Sequence, residues 1–120
     1  MTILKGEYKM LEKDRSYLFG RLLAILEYTA TLAEGNDIRV SQYANRYTKH
    51  PRTTFAMLER RVMTDMYRKL TIEQYDQIQD LKAEIIATMD GTDAFTDEEL
   101  TESYLLGYYM QRPKMVAIAR

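Results

Sequence analysis

An all-α fold, a compact bundle of about five helices, is predicted by three features of this 120-residue sequence. Apolar residues recur at three- and four-residue spacing, as an amphipathic helix requires. Only two prolines and five glycines interrupt the chain. The alternating patterns and Asn-Gly turns of β-hairpins are absent. The length suits one domain over 1–120, with 1–10 and 113–120 as flexible ends.

The first helix is predicted near 7–34. Leu11, Leu18, Ile25 and Leu32 recur every seventh residue, with Leu22 and Thr29 between them. Gly35-Asn36 supplies a stop. Ser41 is a good cap for a short second helix over about 42–49. His50-Pro51 ends it, because a residue before proline avoids helical angles. Pro51 then suits the first turn of a third helix, where no N–H is needed. That helix runs to about Leu70, with Phe55, Leu58, Val62, Met66 and Leu70 as its apolar stripe. Arg60, Arg61, Thr64 and Arg68 fall on the opposite arc, beside Tyr67.

Thr71 and Gln74 form a capping box for a fourth helix. Its inward stripe is Tyr75, Ile78, Leu81 or Lys82, Ile85 and Met89, and it ends at Asp90-Gly91-Thr92-Asp93. Thr96 and Glu99 make a second capping box. It predicts a fifth helix from Asp97 to about Gln111, closed by Arg112-Pro113. Gly20 and Gly107 sit inside otherwise helical text, where glycine costs about 1 kcal/mol relative to alanine. A close crossing of the first and last helices accounts for both.

Net charge is −1, but it is unevenly spread. Residues 46–69 carry seven cations against two acids, whereas 71–104 carry ten acids against Lys82. One face is thus suited to a polyanion. Arg46, Lys49, Arg52, Arg60, Arg61 and Arg68 could track phosphates. Tyr43, Tyr47 and Tyr67, interleaved with them, could stack on bases. The competing reading is a solvated helix face, salt-bridged to the acidic fourth helix.

Catalysis finds little support in the residue types. With no cysteine and one histidine, His50, thiolate chemistry and multi-histidine zinc sites are excluded. His50, beside Pro51, reads as a cap or surface group. Glu98, Glu99 and Glu102 read as a solvated helix start, and Asp76, Asp80 and Glu84 as one exposed helical face. No cofactor, metal or small-molecule substrate is expected. The longest apolar run, residues 22–26, is far short of a membrane span. A cytoplasmic protein without membrane contact is expected.

Three stretches together resemble a known family: "YLFGRLLAILEYTA" (17–30), "ANRYTKHPRTTFAML" (44–58) and "ESYLLGYYMQR" (102–112). They are similar, in order and spacing, to the C-terminal part of the large subunit of the type I-C CRISPR surveillance complex, Cascade. The carrying residues are Gly20-Arg21-Leu22 with Ala24 and Glu27, Pro51 with Phe55, and Gly107-Tyr108-Tyr109 with Gln111-Arg112. Met110 departs from the family pattern, which has histidine there. In such systems this region is also made as a free small subunit by translation starting inside the large-subunit gene, and Met1 is expected to be such a start.

The resemblance implies a non-enzymatic helical subunit that braces the crRNA–target DNA duplex and holds the displaced strand. Its implied partners are the Cascade backbone and large subunits and further copies of itself. Sequence reading would belong to base pairing, leaving the protein only backbone contacts. Arg112 would reach nucleic acid at the open end of the bundle. The alternative expectation is a helical scaffold that touches only other subunits.

Overall fold

In the computed structural model, which describes residues 14–34, 43–89 and 95–118, one helix is buried on nearly every side. This is α1, Arg15–Glu34. Leu18, Phe19, Leu22, Ile25 and Leu26 are at most 1% exposed, and Tyr17, Leu23 and Ala24 are scarcely more so. A helix apolar all round belongs in the centre of a bundle, not on its surface. The seventh-residue repeat therefore marked only one of its packed faces. Burying each such Leu or Ile contributes roughly 1.5–3 kcal/mol, which makes α1 the main source of core stability.

The other helices surround it. They are α2 (Ala44–Lys49), α3 (Pro51–Met66), α4 (Ile72–Thr88) and α5 (Ser103–Ile118), with a 3₁₀ turn over Tyr67–Lys69. Among the described residues there is no strand, so the all-α reading holds with five helices. The Cα radius of gyration is 14.0 Å, close to the roughly 13–14 Å of a compact domain this long.

Several boundaries follow from local chemistry. Asp14 caps α1, its Oδ1 accepting from the Ser16 N–H at 2.8 Å. The helix thus starts at Arg15, later than the sequence pattern suggests; residues 1–13, with Leu11, lie outside the described region. Ser41 and the Asp90–Asp93 stop also lie outside it. Pro51 opens α3 as expected, and the His50 carbonyl accepts from Thr54 N–H. Phe55, Leu58 and Val62 are buried. The α-helix ends at Met66, and only the 3₁₀ turn continues toward Leu70. Thr71 and Gln74 form the reciprocal capping box of α4. On α4 it is Lys82 that is buried and Leu81 that is half-buried, because Lys82 reaches Glu59 of α3 at 3.0 Å.

The fifth helix departs most from expectation. No helix begins at Asp97, and the Thr96–Glu99 capping box does not form. Residues 95–102 form bends and irregular backbone held by distant partners. The Arg15 guanidinium lies 5.0 Å from the Phe19 ring centroid and donates to the carbonyls of Thr96 and Glu98, each at 2.7 Å. Leu100 N–H donates to the Thr48 carbonyl and Thr101 N–H to Ser16 Oγ. Phe95 stacks on Phe19 with centroids 5.4 Å apart and meets Phe55 edge-on at 5.8 Å. These bonds satisfy the backbone groups a helical turn would otherwise use.

Pro113 does not end α5 but lies inside it. Its ring frees the carbonyl four residues back. That residue, Tyr109, is 60% exposed, on the side of α5 where water can take the bond. Beyond the proline Met115 is fully buried, which holds the last turns of α5 in place.

α5 packs principally on α1, and the two run in the same direction. Ser103 Oγ donates to Asp14 Oδ2 where they start, and Arg21 Nε donates to Gln111 Oε1 further along. Their contact is so close that a Cβ at Gly20 would lie 1.8 Å from the Tyr104 carbonyl oxygen. One at Gly107 would lie 1.9 Å from the Tyr17 carbonyl oxygen. The expected small-residue crossing is present, and each glycine Cα–H points at a carbonyl of the facing helix.

Candidate nucleic-acid interface

Arg46, Lys49, Arg52, Arg60, Arg61, Arg68 and Arg112 are all exposed. They do not form one continuous patch. At about 100° per residue, Arg60 points directly away from the buried side of α3. Arg61 lies on the flank facing α2, and Arg52 on the other. The structure brings Arg46 and Arg61 to one corner, and Arg60 follows on the outward side of α3. There Arg61 donates to the Tyr43 hydroxyl at 3.1 Å, and Arg46 lies 3.9 Å from the Met57 sulfur. Met57 and Arg61 are one turn apart on α3, so α2 and α3 present their cations side by side.

The remaining cations are separate. Lys49 is in the last turn of α2. Arg52 sits near Asp97, whose carboxylate accepts from the Thr53 hydroxyl at 2.6 Å and the Thr53 N–H at 2.8 Å. The hydroxyl bond first, and then the N–H bond, hold Asp97 below the usual carboxylate range; the His50 and Arg52 charges act the same way. Asp97 is thus a cap for α3 supplied by a distant segment. Arg68 lies in the 3₁₀ turn, beside a cleft lined by Leu70, Thr71, Ile72 and Tyr75. Arg112 belongs to α5, its guanidinium 5.5 Å from the Tyr108 ring centroid.

Tyr47 cannot stack on a base. It is fully buried, with its hydroxyl donating to the Phe19 carbonyl at 2.5 Å. Burial raises its pKa well above the ordinary phenol value, against a smaller opposing effect of Arg15. The alternation with arginines was misleading because α2 buries one side and exposes the other. Tyr43 is half-buried. The Tyr67 side chain lies outside the described residues.

Salt bridging between α3 and α4 runs opposite to the expected sense. Glu59 of α3 serves Lys82 of α4, while Asp76, Asp80 and Glu84 remain exposed. Among the described residues, no three His, Cys, Asp or Glu side chains converge as a metal site. No described helix is long and apolar enough to cross a membrane.

A second set of functional-looking residues joins α1 to α5. Tyr108 donates to Glu27 Oε1 at 2.5 Å, and Arg21 holds the fully buried Gln111. Desolvation first, and then the bond to Glu27, push the Tyr108 phenol pKa up. Individual motifs gave no sign of this pairing.

The family model for the CRISPR-associated protein Cas_Csd1 matches residues 6–116. The chain belongs to this family. The match covers the first four described helices of the Cas_Csd1 chain and α5 as far as residue 116, including both glycines of the α1–α5 crossing and the α2–α3 corner. Comparison with curated proteins and with solved structures found no match.

Proposed function

We propose that this Cas_Csd1 chain is a non-catalytic small subunit of a type I-C RNA-guided surveillance complex. In this reading it braces the crRNA–target DNA duplex and the displaced strand and works in the cytoplasm beside backbone and large subunits and further copies of itself. The observation that carries the reading is the corner where Arg46 and Arg61 stand exposed on two adjoining helices, with exposed Arg60 next to Arg61 on α3. Such a corner can neutralise phosphates without reading bases. Four acids of the described fold support the non-catalytic part through their structural partners. Asp14 caps α1, Asp97 caps α3, Glu59 pairs Lys82 and Glu27 holds Tyr108.

The test is the Arg46→Ala, Arg60→Ala, Arg61→Ala triple variant in the assembled complex. All three side chains are exposed, so helical content by circular dichroism should be unchanged. Target-DNA affinity should fall, and the slope of log K against log salt should decrease by roughly 2–3 units for three lost phosphate contacts. Normal assembly with unchanged affinity and unchanged slope would favour a scaffold that touches only other subunits.

A further inference from the structure

α1, α2 and α5 line an open cavity of about 200 Å³. Leu23 and Glu27 of α1, Ala44 of α2, and Tyr104, Leu105, Tyr108 and Tyr109 of α5 line it. Three aromatic rings and one carboxylate thus converge; the Tyr108 ring already carries the Arg112 guanidinium 5.5 Å from its centroid, which leaves the Tyr104 and Tyr109 rings and Glu27 for an incoming group. Glu27 Oε1 is occupied by the Tyr108 hydroxyl. Its other carboxylate oxygen has no protein partner among the described residues. The rim is apolar and open: Tyr109 is 60% and Leu105 44% exposed. The Tyr109 and Tyr108 rings stand at a steep angle to each other, with centroids 5.2 Å apart.

We infer that this cavity receives a cationic side chain, an arginine or lysine, from a partner protein. Charge complementarity selects that occupant. Ring faces attract cations through their quadrupole. A carboxylate beside the tyrosines adds a direct Coulomb attraction for the same cation. The free Glu27 oxygen can accept one charge-assisted N–H bond. A phosphate would meet the carboxylate with like charge, so a nucleic-acid strand is not the occupant. The exposed Leu105 and Tyr109 would pack on the aliphatic stem of the entering side chain. The inference does not depend on the nucleic-acid reading, because none of the three arginines of that reading lines the cavity.

The test uses the full chain and N-acetylargininamide as the probe, followed by NMR of Leu105, Tyr109 and Ala44. The uncharged isostere N-acetylcitrullinamide is the control. Saturable shifts with the arginine probe, at least about tenfold weaker for citrulline, are expected from loss of one charge-assisted bond and the cation–ring attraction. Glu27→Gln should weaken arginine binding by a similar factor while keeping an acceptor for Tyr108. Tyr109→Ala, at an exposed position, serves as a second variant whose folding is not in question and should also weaken it. Equal responses to arginine and citrulline, no saturable response, or wild-type binding by both variants would overturn the inference. So would cytidine monophosphate shifting these residues more strongly than the arginine probe. Failure of the arginine-corner variant to affect DNA binding would leave this result untouched.

Discussion

Gly20 and Gly107 show how far one missing atom can control a fold. Each faces a carbonyl that an added Cβ would approach within 1.9 Å. Alanine at either position would gain about 1 kcal/mol in helix propensity. It would also force two backbones apart, and neither carbonyl can rotate away as a side-chain tip could. Overpacking of this kind costs typically 1–3 kcal/mol, and a backbone clash lies at the upper end or beyond. Gly20→Ala and Gly107→Ala should therefore both lower the urea midpoint, despite better local propensity. A raised midpoint in either variant would mean that the crossing is looser than described. This contact was legible in the sequence, because a glycine inside an otherwise good helix asks for a steric reason. The partners of Arg21, Glu27 and Gln111 were not, because nothing local says which turn of another helix will arrive opposite.

Among the elements, the segment 95–102 best separates local preference from tertiary demand. Its Ser/Thr-x-x-Glu pattern favours a helix start. Arg15, Thr48, Thr53 and Ser16 instead bind its backbone and the Asp97 carboxylate. The capping box of α4, by contrast, was legible because all its partners lie within four residues. The arginine corner was partly legible: α3 exposes its cations where the wheel places them, but the buried face of α2 took Tyr47 out of the site. Asp97→Ala should cost about 1 kcal/mol at neutral pH, the usual worth of a helix cap. The Asp97 pKa is depressed in the folded state, so its contribution is complete above the unfolded value of about 3.9 and is lost as pH falls through the folded value. The difference in unfolding free energy between wild type and Asp97→Ala should therefore shrink from about pH 6 to about pH 2.5. A difference that stays constant over that interval would show that the charge of Asp97 is irrelevant to its capping.

Across the molecule, among the described residues, large apolar side chains are exposed singly on α3 (Met57) and at the start of α4 (Ile72), and as a narrow strip on α5 (Leu105, Tyr109, Met110 and Val116). Stable self-association needs a larger continuous patch, near 800 Å² per partner for a standard interface. The isolated chain should thus sediment as a monomer at micromolar concentration in moderate salt. A tight dimer under those conditions would place a continuous interface on a surface described here as broken. Charge is segregated more than apolar area is: cations gather on α2 and α3, and exposed acids on α4 and the 95–102 segment. A molecule polarised in this way orients in the field of a polyanion even when its net charge is near zero.

The shared direction of α1 and α5 has a consequence in time. An up-and-down hairpin of helices can close as soon as its second member exists. Two helices pointing the same way need the intervening chain to travel back first. Asp14 and Ser103 are 89 positions apart, and Arg21 and Gln111 are 90. Contacts of such separation slow folding relative to bundles built from neighbours. During synthesis the glycine face of α1 stays open until the last helix has left the ribosome, and only then can the two carbonyl-to-glycine contacts close.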